Sequence, residues 1–287
     1  MFSTLGFIGA GKVGTALAAL LSRKSYKVVS VYDPDKNAAT SLCKLVKGCN
    51  PASTAQAVTD NADLVFITTP DGIIPAVAAQ LKWKTGQGVV HCSGADSTAI
   101  LEPANKAGAL TAAFHPLQTF AGAKEAMENI PGSTFSLEAQ EPLLSHLKQM
   151  AADLGGSWIT LKATDKAAYH AAAVFASNYL VTLVKMSTDL WKTFDIPTGQ
   201  AVKALLPLLK GTIHNIETIG LPDCLTGPIA RGDAGTVTKH LDTIKEKAPE
   251  LLSTYKELGR QTIPIATAKG TINQEQSWQL ELLLKAK

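Results

Sequence analysis

The sequence predicts an α/β protein: a doubly wound, mostly parallel Rossmann sheet followed by a second, all-helical domain. An apolar run that begins at Thr4 breaks into Gly-x-Gly-x-x-Gly at residues 9–14 and continues as a helical pattern. Strand-like and helix-like segments then alternate as far as residue 162, which is the arrangement of a parallel sheet. Strand signals disappear from residue 163 onward. We therefore expect a dinucleotide-binding domain over 1–162 and a helical substrate and dimerisation domain over 163–287.

The glycine-rich turn predicts a dinucleotide site. Gly9 allows a tight turn, Gly11 lets the backbone approach a pyrophosphate, and Gly14 lets the helix pack closely on the strand. The helix that follows directs free N–H groups at the phosphates. An ordinary strand–helix turn is the alternative. The loop residues expected to contact the cofactor are Gly9, Ala10, Gly11, Lys12, Val13 and Gly14.

A second strand, over 27–32, ends at Asp33, about 20 residues after the last glycine. A carboxylate at this position would hydrogen-bond the adenosine ribose hydroxyls and repel a 2′-phosphate. The cofactor is therefore expected to be NAD or NADP, with NAD slightly favoured by Asp33. Lys36 lies near enough in the sequence to offset some of that repulsion.

Three later strands end in polar or turn residues. The strands, expected over 62–68, 88–92 and 109–114, are apolar almost throughout, as strands buried on both faces are. Ligands of open α/β sheets bind beyond the carboxyl ends of the strands. The residues that follow the first two strands are therefore predicted to flank the cofactor, although ordinary turn chemistry explains them equally well. They are Thr69, Pro70, Ser93 and Gly94.

His115 directly follows the third of these strands, so we expect it to face the crevice that would hold a nicotinamide. A histidine there could exchange a proton with a substrate oxygen or nitrogen. The alternative is a histidine fixed by hydrogen bonds at the strand end before Pro116. His91, inside a strand, is expected to be a satisfied core residue. A later strand pair, 134–137 and 157–161, should bracket a helix over 138–154.

The second domain opens with one predicted helix over 164–194, on which His170, Ser177 and Asn178 lie near one side. Burying them unpaired on an alanine-rich face would be costly, so they either pair with each other and the backbone or line a cleft. In the later loop, Arg231 could bind a substrate carboxylate through a bidentate fork, or be a plain surface arginine. Asp233 is well placed to cap a helix that begins at Ala234.

The composition excludes several classes of protein. Of the 287 residues, 46% are hydrophobic and 18% are charged, so a sizeable core is expected and disorder is not. A net charge of +3 without a basic patch does not indicate a nucleic-acid partner. We recognise neither a signal peptide nor an apolar run of the ~18 residues that a membrane span needs. The four cysteines lack metal spacing and are interpreted as free thiols of a cytoplasmic protein without a metal site.

Four segments together carry a family resemblance: the glycine motif, 115–120, 171–178 and 225–233. They resemble the Rossmann-like oxidoreductases with a C-terminal helical domain of uncharacterised function, which stand beside deazaflavin-dependent NADP oxidoreductases and pyrroline-5-carboxylate reductases. The resemblance covers essentially the whole chain and implies a nicotinamide cofactor. In several members of the wider 6-phosphogluconate dehydrogenase-like superfamily, a lysine on this helix is the acid/base and an asparagine follows four residues later. Here Asn178 matches the asparagine but Val174 replaces the lysine, so His170 could supply the proton instead.

The expected function is therefore hydride transfer between a nicotinamide cofactor and a small carbonyl, imine or hydroxy acid bound between the two domains. His115 is ranked first and His170 second as the acid/base, with Asn178 and Ser177 orienting the substrate and Arg231 binding its acid group. A homodimer through the helical domain is expected, because its leucines are many for a domain of ~125 residues to cover; the alternative is that they fill that domain's own core. The alternatives are a dinucleotide sensor without turnover and a dimerisation protein that kept only the fold.

Overall fold

A computed structural model of the protein describes residues 2–285. Its contacts divide the chain into two compact units, one through Ser177 and one from Asn178. The helix Lys166–Ala176 therefore belongs to the first unit, whereas the sequence places the domain boundary after residue 162. The boundary after residue 162 stays a prediction.

The first unit is built on one eight-stranded sheet, in the order β3-β2-β1-β4-β5-β6-β7-β8. All neighbours are parallel except β6 and β7, which are antiparallel. This confirms the predicted doubly wound, mostly parallel sheet. The strands are β1 Thr4–Ile8, β2 Lys27–Tyr32, β3 Asn50–Pro51, β4 Leu64–Ile67, β5 Gly88–His91, β6 Leu110–Pro116, β7 Thr134–Ala139 and β8 Ser157–Thr160.

The central strands are buried on both faces, which is why they are nearly continuous apolar runs. Every residue of β4 and of β5 is buried. Four aromatic rings, Phe7, Phe66, Phe114 and Phe135, pack in sequence across one face, with ring centroids 5.0, 6.0 and 4.6 Å apart. This rigid core holds the strand ends in place.

Eight α-helices accompany the sheet. They are α1 Lys12–Arg23, α2 Lys36–Leu45, α3 Ala55–Asn61, α4 Ile74–Gln80, α5 Glu102–Lys106, α6 Ala123–Asn129, α7 Leu143–Asp153 and α8 Lys166–Ala176. The Asp35 and Thr54 side chains cap α2 and α3 by accepting hydrogen bonds from the Asn37 and Ala57 N–H groups. The sequence analysis missed β3, α3 and α6, which are short elements with little periodicity.

One helix boundary was wrong. The sequence predicts a helix from Glu138, but Glu138 is the partner of Ala113 in the β6–β7 ladder and the helix begins only at Leu143. His115 likewise lies within β6, opposite Ser136, and does not follow the strand. In both cases antiparallel pairing of β6 with β7 extends the strands beyond the apolar run.

The second unit is all-helical in its described part, as predicted. Its helices are α9 Asn178–Lys192, α10 Thr198–Thr218, α11 Ala234–Lys247, α12 Leu252–Ala268 and α13 Gln274–Lys285. Its core cluster comes from the last three helices and the turn before them, and includes Ile229, Val237, Ile263 and Leu280. The single helix predicted over 164–194 is interrupted at Ser177, between α8 and α9.

The stretch Ala163–Lys192 is long and apolar enough to cross a membrane by length and composition alone. This differs from the expectation that no segment would meet that criterion. None of its most apolar 18-residue window is buried. The criterion rests on length and composition only, so the expected absence of a membrane partner stays a prediction.

Candidate active site

The glycine loop joins β1 to α1 at the carboxyl edge of the sheet. Gly9 has a φ of +108°, a conformation that side chains rarely adopt, and a Cβ there would lie 2.7 Å from the Thr68 backbone. Its N–H donates to the Tyr32 carbonyl oxygen at 2.8 Å, and its carbonyl accepts from the Thr68 hydroxyl at 2.7 Å. A Cβ on Gly14 would collide with the same loop. Two of the three glycines are thus required by packing.

Gly11 is different, because a Cβ built on it would meet nothing within 4 Å. The residue is the N-cap of α1, and no side chain caps this helix. The packing of the protein therefore does not require a glycine here. The open space and the uncapped helix N-terminus fit the close approach of a pyrophosphate.

Asp33 is fixed by two backbone hydrogen bonds. Its Oδ2 accepts from the Ala10 N–H at 2.7 Å, and its Oδ1 accepts from the Asp35 N–H at 2.8 Å. The carboxylate therefore ties the end of β2 to the glycine loop. A cavity of about 350 Å³ lies beside it, with Lys36, Thr40 and Ser53 in its lining. These groups can hold an adenosine ribose together with its 2′ substituent.

A buried hydroxyl links the turns that follow β4 and β5. Ser93 is only 2% exposed, and its Oγ lies 2.7 Å from Asp71 Oδ2 and 2.9 Å from Asp96 Oδ2. It also accepts a hydrogen bond from the Asp96 N–H at 3.2 Å. Two carboxylates thus converge on one residue at the carboxyl edge of the sheet, and they fix the geometry of the Ser93-Gly94 turn.

Lys166 brings a cation to the same place. It stands in the first turn of α8, is 1% exposed, and lies with its Nζ 3.4 Å from the Ser93 carbonyl oxygen. Burial lowers its pKa, whereas the nearby carboxylates of Glu138, Asp96 and Asp71 raise it. A buried ammonium near several carboxylates is expensive to maintain for stability alone. Lys166 is therefore a candidate functional residue.

His115 projects from β6 toward α8. Its Nδ1 is 2.9 Å from the Tyr169 hydroxyl, and its ring centroid is 6.3 Å from that of His170. A Cβ on Gly94 would lie 2.8 Å from His115 Nε2 and 2.7 Å from His170 Cδ2. The structure thus brings together three residues predicted from the sequence: Gly94, His115 and His170.

The charge state of His115 follows from its surroundings. Burial first, and then the positive charge of Lys166 and the neighbouring His170, lower the pKa of His115 to about 4. The ring is therefore neutral at pH 7. His91 is also neutral, because burial and Lys166 lower its pKa to about 4. Its Nδ1 accepts from the Ser93 N–H at 3.1 Å, but its Nε2 has no hydrogen-bond partner among the described residues, so it is only partly satisfied.

Three of the remaining predicted residues lie at or beyond the unit boundary. Ser177 interrupts the helix at the end of the first unit, and Asn178 opens the second. Arg231 is exposed in a short turn of the second unit. Asp233 caps α11 by accepting from the Thr236 N–H at 2.9 Å, which confirms the predicted cap. The roles of Thr69, Pro70, Ser177, Asn178 and Arg231 stay predictions.

Sequence reasoning missed Lys166 and Tyr169 as site residues. Neither is named by the sequence motifs, and the resemblance places the superfamily's lysine at position 174. The spacing was informative, because Lys166, Tyr169 and His170 lie three and four residues apart and share one helix face. The sequence does not show which buried groups lie against that helix face.

Comparison with known families matches two segments of the chain. Residues 2–116 match a Rossmann-like domain, and residues 133–262 match a domain of unknown function, DUF2520. The chain joins a Rossmann-like domain to a DUF2520 domain. The DUF2520 match begins before β7 and therefore includes the last two strands, α8 and most of the second unit. This agrees with the resemblance to Rossmann-like oxidoreductases that have an uncharacterised helical domain.

Several solved structures are similar along nearly their full length. A Thermotoga maritima protein is 26% identical, with a TM-score of 0.76, over 93% of this chain and 99% of that one. A proposed NADP oxidoreductase from Bacteroides fragilis is 22% identical, with a TM-score of 0.73, over 91% and 98%. A Plasmodium falciparum pyrroline carboxylate reductase with NADP bound is 16% identical, with a TM-score of 0.58, over 98% of both chains. No curated protein matches the chain.

These likenesses establish the fold that the Rossmann-like and DUF2520 domains share with NADP-dependent reductases. At such low identity they do not assign a substrate. The cofactor named for the second and third proteins is NADP, so the preference for NAD that Asp33 suggests finds no support among them.

Proposed function

We propose that this DUF2520 protein is an NAD(P)-dependent reductase or dehydrogenase that acts on a small carbonyl, imine or hydroxy acid. One observation carries the proposal. The open glycine loop follows β1, and His115 stands near the end of β6, at the same edge of a sheet in which β1, β4, β5 and β6 are neighbours. That edge is where ligands of open α/β sheets bind.

Separate residues of the chain would bind the cofactor and act on the substrate. The glycine loop and the N-terminus of α1 hold the pyrophosphate, and Asp33 holds the adenosine ribose. A bound nicotinamide supplies or accepts hydride. His115 meets the reacting oxygen or nitrogen of the substrate, and His170 is the second candidate for that role. Lys166 adds a positive charge that would stabilise negative charge developing on the substrate.

The proposal keeps roles for Ser177, the last residue of the first unit, and for two residues of the second unit. Asn178 and Ser177 would orient the substrate, and Arg231 would bind an acid group if the substrate carries one. For the cofactor, the fixed carboxylate of Asp33 favours NADH, whereas Lys36 in the neighbouring cavity favours NADPH. We propose that NADH binds at least as well as NADPH.

Two measurements test the function. Titration with NADH and NADPH by calorimetry establishes whether a dinucleotide binds. The loss of nicotinamide absorbance is then followed with panels of small ketones, cyclic imines and 2-hydroxy acids. Turnover with any panel supports the reductase. Binding without turnover across all panels favours the dinucleotide sensor, and failure to bind either dinucleotide contradicts both.

We also propose a homodimer formed through the second unit. Within α9 and α10 only Thr188 and Ala201 are buried, although both helices are rich in apolar side chains. The exposed apolar side chains there are Val181, Leu183, Leu206, Leu208, Ile213 and Ile216. A second copy of the chain would cover such a surface, which monomeric proteins rarely leave open to water.

A further inference from the structure

We infer that Tyr169 is a positioning residue that holds the His115 proton on Nε2, so that His115 presents a hydrogen-bond donor to the C=O or C=N group of the substrate. The inference deepens the proposed reductase function and rests on it for the identity of the acceptor. The placement of the proton itself does not depend on activity.

The first support is the hydrogen bond between the two side chains. The Tyr169 hydroxyl is 2.9 Å from His115 Nδ1, with the rings perpendicular and their centroids 5.7 Å apart. Because α8 packs this hydroxyl against β6, the contact joins two separate elements of the first unit. It engages one ring nitrogen and leaves the other for a ligand.

The second support is the number of protons available. Burial, Lys166 and His170 keep the pKa of His115 low, so the neutral ring carries a single N–H at pH 7. Burial raises the pKa of Tyr169, so the phenol keeps its proton. In a neutral imidazole one nitrogen donates and the other accepts. A phenol that donates to Nδ1 therefore requires the ring proton on Nε2.

The third support is the direction of the hydrogen bond. Ser136 is the cross-strand partner of His115, so the two side chains lie on the same side of the sheet. The Ser136 hydroxyl is buried and makes no hydrogen bond with the described residues, so it does not take the phenol proton. Among the described residues His115 Nδ1 is the hydrogen-bond partner of the Tyr169 hydroxyl. A ring that donated from Nδ1 would leave the buried phenol proton without an acceptor, so the phenol donates to Nδ1.

The fourth support is the open edge of the ring. A Cβ built on Gly94 would lie 2.8 Å from Nε2, so any side chain there would meet this nitrogen and His170. Among residues 2–285, no side chain or backbone group accepts a hydrogen bond from His115 Nε2. A small acceptor group can therefore reach the Nε2–H from the carboxyl edge of the sheet.

The decisive test is NMR of the full-length protein labelled with ¹⁵N-histidine. Two-bond ¹H–¹⁵N spectra distinguish the two neutral tautomers, and His115→Asn assigns the signals. We expect the Nε2–H tautomer at pH 7 in the unmodified protein. The Nδ1–H tautomer, or a protonated ring, would overturn the inference. This measurement needs no variant of Tyr169 to fold.

Tyr169→Phe removes the donor, and we expect the His115 signals to shift toward the Nδ1–H tautomer or a mixture of the two. The chain offers a matched control, because Tyr255 makes an equivalent contact to His240 Nδ1 at 2.7 Å in the second unit. Tyr255→Phe should leave the His115 signals unchanged. Unchanged signals in folded Tyr169→Phe would show that the phenol does not set the tautomer.

Activity provides a separate readout. Tyr169→Phe should lower kcat by roughly 10- to 100-fold while KM and dinucleotide affinity stay within a few-fold, because the wrong tautomer acts on the reaction rather than on binding. A protein that shows the Nε2–H tautomer but no turnover would contradict the proposed function alone. Full activity in Tyr169→Phe would contradict the positioning role alone.

Discussion

The ammonium of Lys166 lies against the carbonyl oxygen of Ser93, 3.4 Å away, in a position that is only 1% exposed. A lysine is almost never buried this deeply unless it is paired. Here the carboxylates of Glu138, Asp96 and Asp71 lie near it, and its charge adds to burial in keeping the histidines His91 and His115 neutral. The charge balance of the candidate site is therefore centred on one residue at the start of α8.

The pH dependence of stability should report this lysine. The folded-state pKa of Lys166 lies below the 10.5 of the unfolded chain, so between these two values the unfolded state binds more protons and stability rises with pH. Lys166→Met should remove this rise. The difference in free energy of unfolding, unmodified protein minus variant, should therefore increase as the pH rises toward 10.5. Urea unfolding at a series of pH values measures the difference. The exposed Lys162→Met is the control, and an equal effect in both variants would contradict the prediction.

Loss of His115 should impair chemistry more than binding. We expect His115→Asn to lower kcat by roughly 10²-fold or more, the usual scale for losing a group that transfers or donates a proton. Dinucleotide affinity should stay within a few-fold, because the glycine loop is untouched. His170→Asn should have a smaller effect in the same steady-state assay. A dead His170→Asn beside a fully active His115→Asn would reverse the ranking of the two histidines.

Gly11→Asp should abolish dinucleotide binding without unfolding the protein. A side chain at this position meets nothing within 4 Å in the protein itself, so the fold tolerates it. In the complex it would collide with the pyrophosphate and add a repelling charge. Calorimetric titration with both dinucleotides measures the loss. Gly199→Asp introduces the same side chain into equally open space at the start of α10 and should bind normally.

Asp33→Asn should shift cofactor selectivity toward NADPH. The amide keeps an oxygen for the Ala10 N–H but no longer repels a 2′-phosphate beside Lys36. We expect the ratio of the two dissociation constants to change by about 10-fold in favour of NADPH, the scale of one lost charge interaction near a surface. Asp60→Asn on α3 controls for net charge. A strong preference of the unmodified protein for NADPH would show that Asp33 does not decide the cofactor.

Leu208→Lys should weaken the proposed homodimer. This side chain on α10 is 67% exposed, and a lysine in an apolar interface would have to be desolvated. Light scattering should report a dimer for the unmodified protein at micromolar concentration, and monomer for the variant under the same conditions. Leu45→Lys replaces another exposed leucine, on α2 of the first unit and 53% exposed, and should leave the dimer intact. A monomeric unmodified protein would defeat the proposal.

Local signals in the sequence were sufficient for most of the architecture. Glycine spacing, nearly continuous apolar strands and the switch to helical periodicity are properties of neighbouring residues, so β1, α1, β2 and the parallel order of the sheet followed from them. The loop residues Gly9 and Gly14 and the cap at Asp233 were found for the same reason. Short elements without periodicity, such as β3 and α6, were not.

Tertiary structure alone decided which side chains surround His115. The sequence predicted His115 and Gly94 from strand ends, but Lys166 and Tyr169 lie more than fifty residues away along the chain and were not predicted as site residues. Pairing of β6 with β7 and packing of α8 bring these groups within hydrogen-bond distance and remove water from them. Burial then lowers the pKa of both His115 and Lys166. This effect depends on the whole fold and not on neighbours in the chain, because desolvation is set by everything packed around the group.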